Sequence, residues 1–284
     1  MDFSSFFKAY PYTLSEEEIK LDVKHIIDHH YENTDNFKSR KFIYSALEIT
    51  SLNSTDGEKN ITALVEGINK TDEENPELPM PAAICVYPAL VEIVKNSLTE
   101  DVNITTVIGF PHSQTFTEVK IAETSLAIMN GATEIDMVLN VGKFLTGEYT
   151  ELYDEISEVK AACKDKTLKV ILETGLLKTP DNIFKAALLA MEAGADFIKS
   201  TTGKTEPTNL NAVYSMCRAI RAYYEKTKIQ KGIKIAGGVK TIQDALMYLT
   251  IVKEILGEEF MTTDYFRIGS SSLAEILKKE ICKM

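Results

Sequence analysis

The sequence predicts an α/β fold, a (β/α)8 or TIM barrel preceded by an N-terminal helical extension. Three observations point there. Eight short apolar runs recur along the chain, and stretches of helical spacing separate them. No Gly-x-Gly-x-x-Gly follows the first run, although the alternative, an open doubly wound sheet, usually announces a nucleotide site that way. A chain of 284 residues also accommodates a barrel, which needs about 250.

Taken in order, residues 1–42 stand outside the repeat and form the extension, and residues 43–284 form the barrel. Glu16 to His30 reads as one helix, with Ile19, Val23, Ile26 and Ile27 on a single face. It is expected to cap the bottom of the barrel or to cover a subunit surface. The strands are expected at Ser45–Leu52, Ala82–Val86, Ile104–Phe110, Glu134–Asn140, Lys169–Thr174, Asp196–Thr201, Lys234–Gly238 and Phe266–Ser270. Most are short and rich in Ile, Val and Phe, as buried parallel strands are. Thr117–Met129, Asn182–Met191 and Ala212–Tyr223 carry helical periodicity, and Thr241 is placed to cap a helix running to Leu256. Gly131, Gly194 and Gly257 follow helical stretches and read as C-caps. Asn53–Glu58 and Thr71–Glu77 are polar and loop-like.

Composition narrows the functional class. Hydrophobic residues make up 44% and charged residues 26%, as in globular chains, and the net charge of −11 argues against non-specific nucleic-acid binding. No run has the roughly 18 apolar residues of a membrane span, and Met1–Leu14 lacks the apolar core of a secretory signal. The expected setting is the cytoplasm, where sequons at Asn53, Asn60 and Asn103 are chance matches. Cys85, Cys163, Cys217 and Cys282 form no Cys-x-x-Cys pair, and a disulfide framework is not expected.

Chemistry in a barrel sits at the C-terminal ends of strands. In the sixth strand, alternation puts Phe197, Lys199 and Thr201 on one face. A buried lysine is costly unless paired or neutral, and a neutral lysine forms imines with carbonyl compounds. The alternative is a strand-end lysine that reaches solvent or pairs with a carboxylate. Lys234, in the seventh strand, would lie near Lys199, and like charge would favour one neutral amine. It also reads as a structural partner of Glu173 or Asp136. Asp136 interrupts an apolar strand, so it is either paired with a cation or used in proton transfer. Gly203-Lys204, Gly237-Gly238-Val239-Lys240-Thr241 and Gly269-Ser270-Ser271-Ser272 follow the last three strands. They suit a phosphate, or are ordinary turns rich in Gly and Ser. Thr202-Gly203-Lys204-Thr205 is not a P-loop, because Ile198 stands where the first glycine is required. His25 and His29 share a helical face, but the four histidines contain no zinc-type motif, and no metal is expected.

Seven segments in register resemble the deoxyribose-phosphate aldolase family: Ala82–Pro88, Gly109–His112, Glu134–Val138, Lys169–Gly175, Ala195–Lys204, Gly232–Thr241 and Arg267–Ser272. The resemblance runs from about residue 45 to 280. It implies reversible cleavage of 2-deoxy-D-ribose 5-phosphate to D-glyceraldehyde 3-phosphate and acetaldehyde, with no cofactor. It implies that Lys199 forms the imine, that Lys234 lowers the pKa of Lys199, and that Asp136 relays protons through water. Gly203, Lys204, Gly237, Gly238, Lys240, Gly269, Ser271 and Ser272 would surround the phosphate, with Glu48, Thr50 and Cys85 in the substrate pocket. A homodimer or larger homo-oligomer is implied too.

The chain departs from the family in five places. Ile235 stands where proline is frequent, Lys240 where arginine is common, and Glu48 where many relatives carry aspartate. The chain reaches Met284 without the tyrosine-bearing tail of some members, and residues 1–42 are longer than usual. These differences touch substrate fit more than imine chemistry. Two rivals remain: another Schiff-base barrel aldolase or transaldolase acting on a related sugar phosphate, and a non-catalytic phosphosugar-binding barrel.

Overall fold

Eight parallel strands pair in chain order and close on themselves, which excludes the open sheet. They are β1 (Leu47–Thr50), β2 (Ala83–Val86), β3 (Asn103–Ile108), β4 (Glu134–Val138), β5 (Thr167–Ile171), β6 (Phe197–Lys199), β7 (Gly232–Ala236) and β8 (Phe266–Ser270). The computed structural model describes residues 2–11, 15–75 and 77–283. The readings of Met1–Leu14, Thr71–Glu77 and the chain end at Met284 therefore fall partly outside the described residues.

Parallel strands need crossovers, and amphipathic helices supply them. Helices 117–129, 180–192 and 210–227 cover the three periodic stretches read from sequence. Helix 242–256 starts at Thr241, whose side chain accepts from the Asp244 N–H while Asp244 accepts from the Thr241 N–H. Gly131 and Gly194 lie just past helix ends at φ 113° and 105°. The next residue's N–H reaches back to Ala127 and Ala190 respectively, so the last turn is closed as a Schellman motif.

Two local expectations are corrected. Helix 58–74 takes up most of the segment read as loop at Thr71–Glu77. Ile61, Val65, Ile68 and Thr71 are buried at helical spacing, and that face carries the helix through a polar stretch. β5 ends at Ile171 rather than Thr174, because Glu173 adopts φ 56° and opens a short helix at Thr174.

The extension forms α1 (Phe3–Lys8), α2 (Glu16–Thr34) and α3 (Phe37–Ser45). The boundary expected at residue 43 falls inside α3. Ser15 and Glu18 cap α2 reciprocally. α2 lies across the outer helices 210–227 and 242–256, where Tyr214 donates to Asp22 at 2.7 Å and His30 meets Glu254 at 3.2 Å. It therefore does not cap the barrel. α3 comes nearer that role, packing Phe42 on Phe266 at the N-terminal end of β8. Among the described residues, no helix is long and apolar enough to cross a membrane.

Candidate active site

The strand pairing decides which side chains share the barrel interior. Asp136 is level with Lys169, Lys199 with Lys234, and Lys234 with Arg267. Alternation along β4 sends both Glu134 and Asp136 inward. The result is a buried ionic cluster. Asp136 Oδ2 accepts from Lys199 Nζ at 2.7 Å and from Lys234 Nζ at 2.6 Å. Its other oxygen, Oδ1, accepts from Lys169 Nζ at 3.1 Å. Lys234 also donates to Glu48. Lys169 is 2.5 Å from Glu134, and Arg267 closes the lower end by donating to Glu134 at 3.0 Å and to Glu48 at 3.5 Å.

Lys199, Lys234 and Asp136 thus come together as the sequence suggests, and Glu48 joins them. The pairing of Lys234 with Glu173 is overturned. The Glu173 carboxylate accepts instead from the Thr202 hydroxyl at 2.5 Å, because its left-handed backbone lies beyond the strand end. Sequence reading left Glu134, Lys169 and Arg267 out of the candidate site. Their signal was there, as charges at interior-facing positions of otherwise apolar strands.

The electrostatics follow from this arrangement. Burial pushes the Glu134 carboxyl up, but Lys169 and Arg267 outweigh it and hold the group down at about 2. Burial likewise opposes ionisation of Asp136, and the surrounding lysines hold it well below the usual carboxylate range. Burial disfavours the ammonium of Lys234, yet attraction to Asp136 and Glu48 raises it above the ordinary lysine range. Lys169 is raised similarly against its own burial by Asp136, Glu134 and Glu48. Sequence reasoning expected one lysine to fall, and Lys234 moves the other way.

A pH dependence of stability follows. Carboxylates held low contribute stability that is complete above their unfolded values, near 4, and lost as pH falls through the folded values. Lysines held high contribute stability that is complete below about 10.4 and lost only as pH rises through the raised values. Melting temperature is therefore expected to fall steeply between about pH 4 and 2, with Glu134→Gln flattening that slope. Thermal melts across a pH series check it.

Above the cluster a cleft of about 360 Å³ opens among the turns after β1, β6, β7 and β8. Thr50, Lys199, Gly203, Lys204, Gly237, Gly238, Lys240, Gly269, Ser271 and Ser272 all line it. Among the described residues of the ionic cluster, only Lys199 reaches this cleft. The turns are tied to one another. Ser200 and Thr201 donate to the Ala236 carbonyl at 2.8 and 3.1 Å, and Ser270 donates to the Val239 carbonyl at 2.9 Å. Gly237 has φ 89°, and a Cβ there would sit 2.0 Å from Thr201 Oγ1, so no other residue fits the turn. At Gly269 a Cβ would crowd Lys234 Cε at 3.3 Å and Ala236 Cβ at 3.1 Å. Lys204 Nζ reaches across the mouth to the Leu52 carbonyl.

Cys85 is buried beneath the cleft, and burial pushes its thiol up, which keeps it neutral. Glu48, Cys85 and Asp136 bring three ligand-type atoms within 4.8 Å of one another. Both carboxylates are already bound by Lys234, whose charge opposes a metal cation there. At the His25–His29 pair, His29 Nδ1 lies 2.8 Å from the His25 carbonyl.

Residues 23–278 match the family model of DeoC/LacD family aldolases. The chain is 44% identical over 205 residues to deoxyribose-phosphate aldolase of Mus musculus, an alignment covering 70% of this chain and 64% of that protein. It is 39% identical over 248 residues to deoxyribose-phosphate aldolase of Homo sapiens, covering 83% and 78%. A crystal structure from Coccidioides immitis, named as a candidate deoxyribose-phosphate aldolase, superposes with a TM-score of 0.72 at 26% identity, covering 96% of this chain and 99% of that one.

Proposed function

The chain belongs to the DeoC/LacD family of aldolases, which are carbon–carbon lyases, and from that membership we propose that it cleaves 2-deoxy-D-ribose 5-phosphate reversibly through an imine on Lys199. One observation carries the reading: Lys199 is both a member of the ionic cluster and a wall of the glycine- and serine-rich cleft.

The charge count supports a neutral amine. Four cationic side chains (Lys169, Lys199, Lys234 and Arg267) face three carboxylates (Glu48, Glu134 and Asp136). Losing one proton brings the cluster to neutrality. Lys199 has Asp136 as its ionic partner and shares it, whereas Lys234 and Lys169 have two or more carboxylates each. Lys199 is therefore the least paired amine of the cluster.

The neutral amine attacks the aldehyde carbon of the open-chain sugar, and loss of water leaves a protonated imine. That cation accepts the electron pair of the C2–C3 bond as the C3 hydroxyl loses its proton, and glyceraldehyde 3-phosphate departs. The enamine is protonated at C2, and water releases acetaldehyde and restores the amine. Asp136, held far below neutrality, is a weak base on its own. Its part is to stabilise the imine cation and to pass protons through water and Lys234. The lysine supplies the electrophile, so the reaction needs no metal or organic cofactor. The phosphate sits among Gly203, Lys204, Gly237, Gly238, Lys240, Gly269, Ser271 and Ser272. Thr50 lies beside it, and Glu48 and Cys85 lie in the floor. This reading carries with it a cytoplasmic setting and a homodimer or larger homo-oligomer, the latter open to sedimentation.

Coupled detection of acetaldehyde from 2-deoxy-D-ribose 5-phosphate tests the function. Release is expected, with a much higher KM for 2-deoxyribose lacking the phosphate. No release, or equal turnover of the unphosphorylated sugar, would retire the substrate.

A further inference from the structure

The interior cluster continues below the groups that the reaction uses. Glu134 and Arg267 border a second cavity, of about 450 Å³, at the N-terminal end of the barrel with Asp196, Asp264 and Phe197. The ladder is unbroken from that cavity to the cleft. Arg267 binds Glu134, Glu134 binds Lys169, Lys169 binds Asp136, and Asp136 binds Lys199. Thr105 fixes Glu134 further, donating at 2.8 Å, and Arg267 also donates to the Thr263 carbonyl. The five members of the ladder are 0–4% exposed. Side chains so buried are screened only weakly by counter-ions, so their charges act on one another across the cluster.

We infer that the Arg267–Glu134 pair on the barrel floor, outside the cleft, sets the net charge of the cluster and thereby the pH at which Lys199 becomes a nucleophile. The inference rests on the reading of Lys199 as the imine-forming amine. The pair acts through Lys169 and Asp136, so both are positioning residues.

The groups facing Lys199 come from every strand concerned. Asp136 on β4 touches it directly, and Lys234 on β7 stands level with it and binds the same Asp136 oxygen. Lys169 on β5 is bound to Asp136, and Glu48 on β1 is bound to Lys234. Cys85 on β2 is a neutral thiol and adds no charge. At the mouth Lys204 is engaged with Leu52, and Glu173 with Thr202. Against this background the sign of each floor substitution is fixed. Arg267→Met leaves three cations and three carboxylates, so a neutral Lys199 would make the cluster anionic and the proton is held more tightly. Glu134→Gln leaves four cations against two carboxylates, so the proton is released more readily. The double variant has three against two, the excess of one found in the native chain.

The test reads Lys199 directly. Acetaldehyde and cyanoborohydride label the amine, and peptide mass spectrometry gives the labelling rate at Lys199 from pH 5 to 9. The midpoint of the rise is expected to move up by about one pH unit in Arg267→Met and down by a similar amount in Glu134→Gln. The double variant is expected to return to the native midpoint, and Arg267→Lys to stay there. A purely structural role would not give opposite shifts that cancel. Single shifts of one sign, or none in variants whose melts show them folded, would overturn the inference. Removing one partner of a buried pair threatens folding, and the double variant and Arg267→Lys guard against that. Cleavage assays on the same panel report on the substrate separately. Ordered labelling shifts without cleavage would uphold the charge argument and retire the sugar, whereas cleavage with unmoved midpoints would do the reverse.

Discussion

Lys199→Met is expected to lower kcat/KM for 2-deoxy-D-ribose 5-phosphate by roughly 10³-fold or more, because the other cleft lysines, Lys204 and Lys240, stand on the phosphate-side turns and not in the ionic cluster. The same change should leave the fold intact. Methionine fills nearly the volume of the lysine stem, at a position that is only 3% exposed. It removes one of four cations facing three carboxylates, so the buried charges balance, and Asp136 keeps Lys169 and Lys234. A stability change of less than about 1.5 kcal/mol is expected. Activity assays beside thermal melts check both halves. Loss of activity with loss of structure would weaken the assignment, and unchanged acetaldehyde release would end it.

Asp136→Asn should damage both properties. Among the described residues, this carboxylate is the one group that touches Lys169, Lys199 and Lys234 together. Its neutral replacement leaves four buried cations against two carboxylates, and the amide turns an N–H toward an ammonium. Breaking a buried ion pair by removing one partner costs about 3–5 kcal/mol. Activity should fall by roughly 10²- to 10⁴-fold, the usual worth of a proton-transfer group. Denaturant melts and steady-state kinetics measure the two losses. Asp136→Leu combined with Lys234→Met should recover part of the stability and none of the activity, because paired removal leaves fewer uncompensated charges. Recovery of activity in that double variant would show that Asp136 serves structure alone.

The barrel was legible because its signal is repetitive. All eight strands appear where apolar runs stand, displaced by a few residues at their ends. Those ends were hidden because they depend on backbone events with no strong sequence mark, such as the left-handed Glu173. The helix through Thr71 was missed for a related reason. Its polar face dominates the local composition, while the four residues that hold it down are spread over three turns.

The site was half legible. Lys199, Asp136 and Lys234 each break an apolar strand, which marks them as unusual one at a time. That they share one carboxylate oxygen depends on the register between strands far apart in sequence, and register is not written in any single strand. Lys169, Glu134 and Arg267 carry no reading from sequence, because each stands near the start of its run, where a single charge does not mark an interior position. Closure of the barrel joins them into one charge-coupled unit. The placement of α2 on the outer helices was likewise not readable, since its apolar face fits a barrel end as well as a barrel side.

The central claim is that the amine on β6 bonds to carbon. Borohydride reduction in the presence of 2-deoxy-D-ribose 5-phosphate, followed by peptide mass mapping, tests it most directly. The account predicts one stable adduct, on the peptide carrying Lys199. An adduct on Lys234 or Lys204, or none while cleavage proceeds, would contradict it.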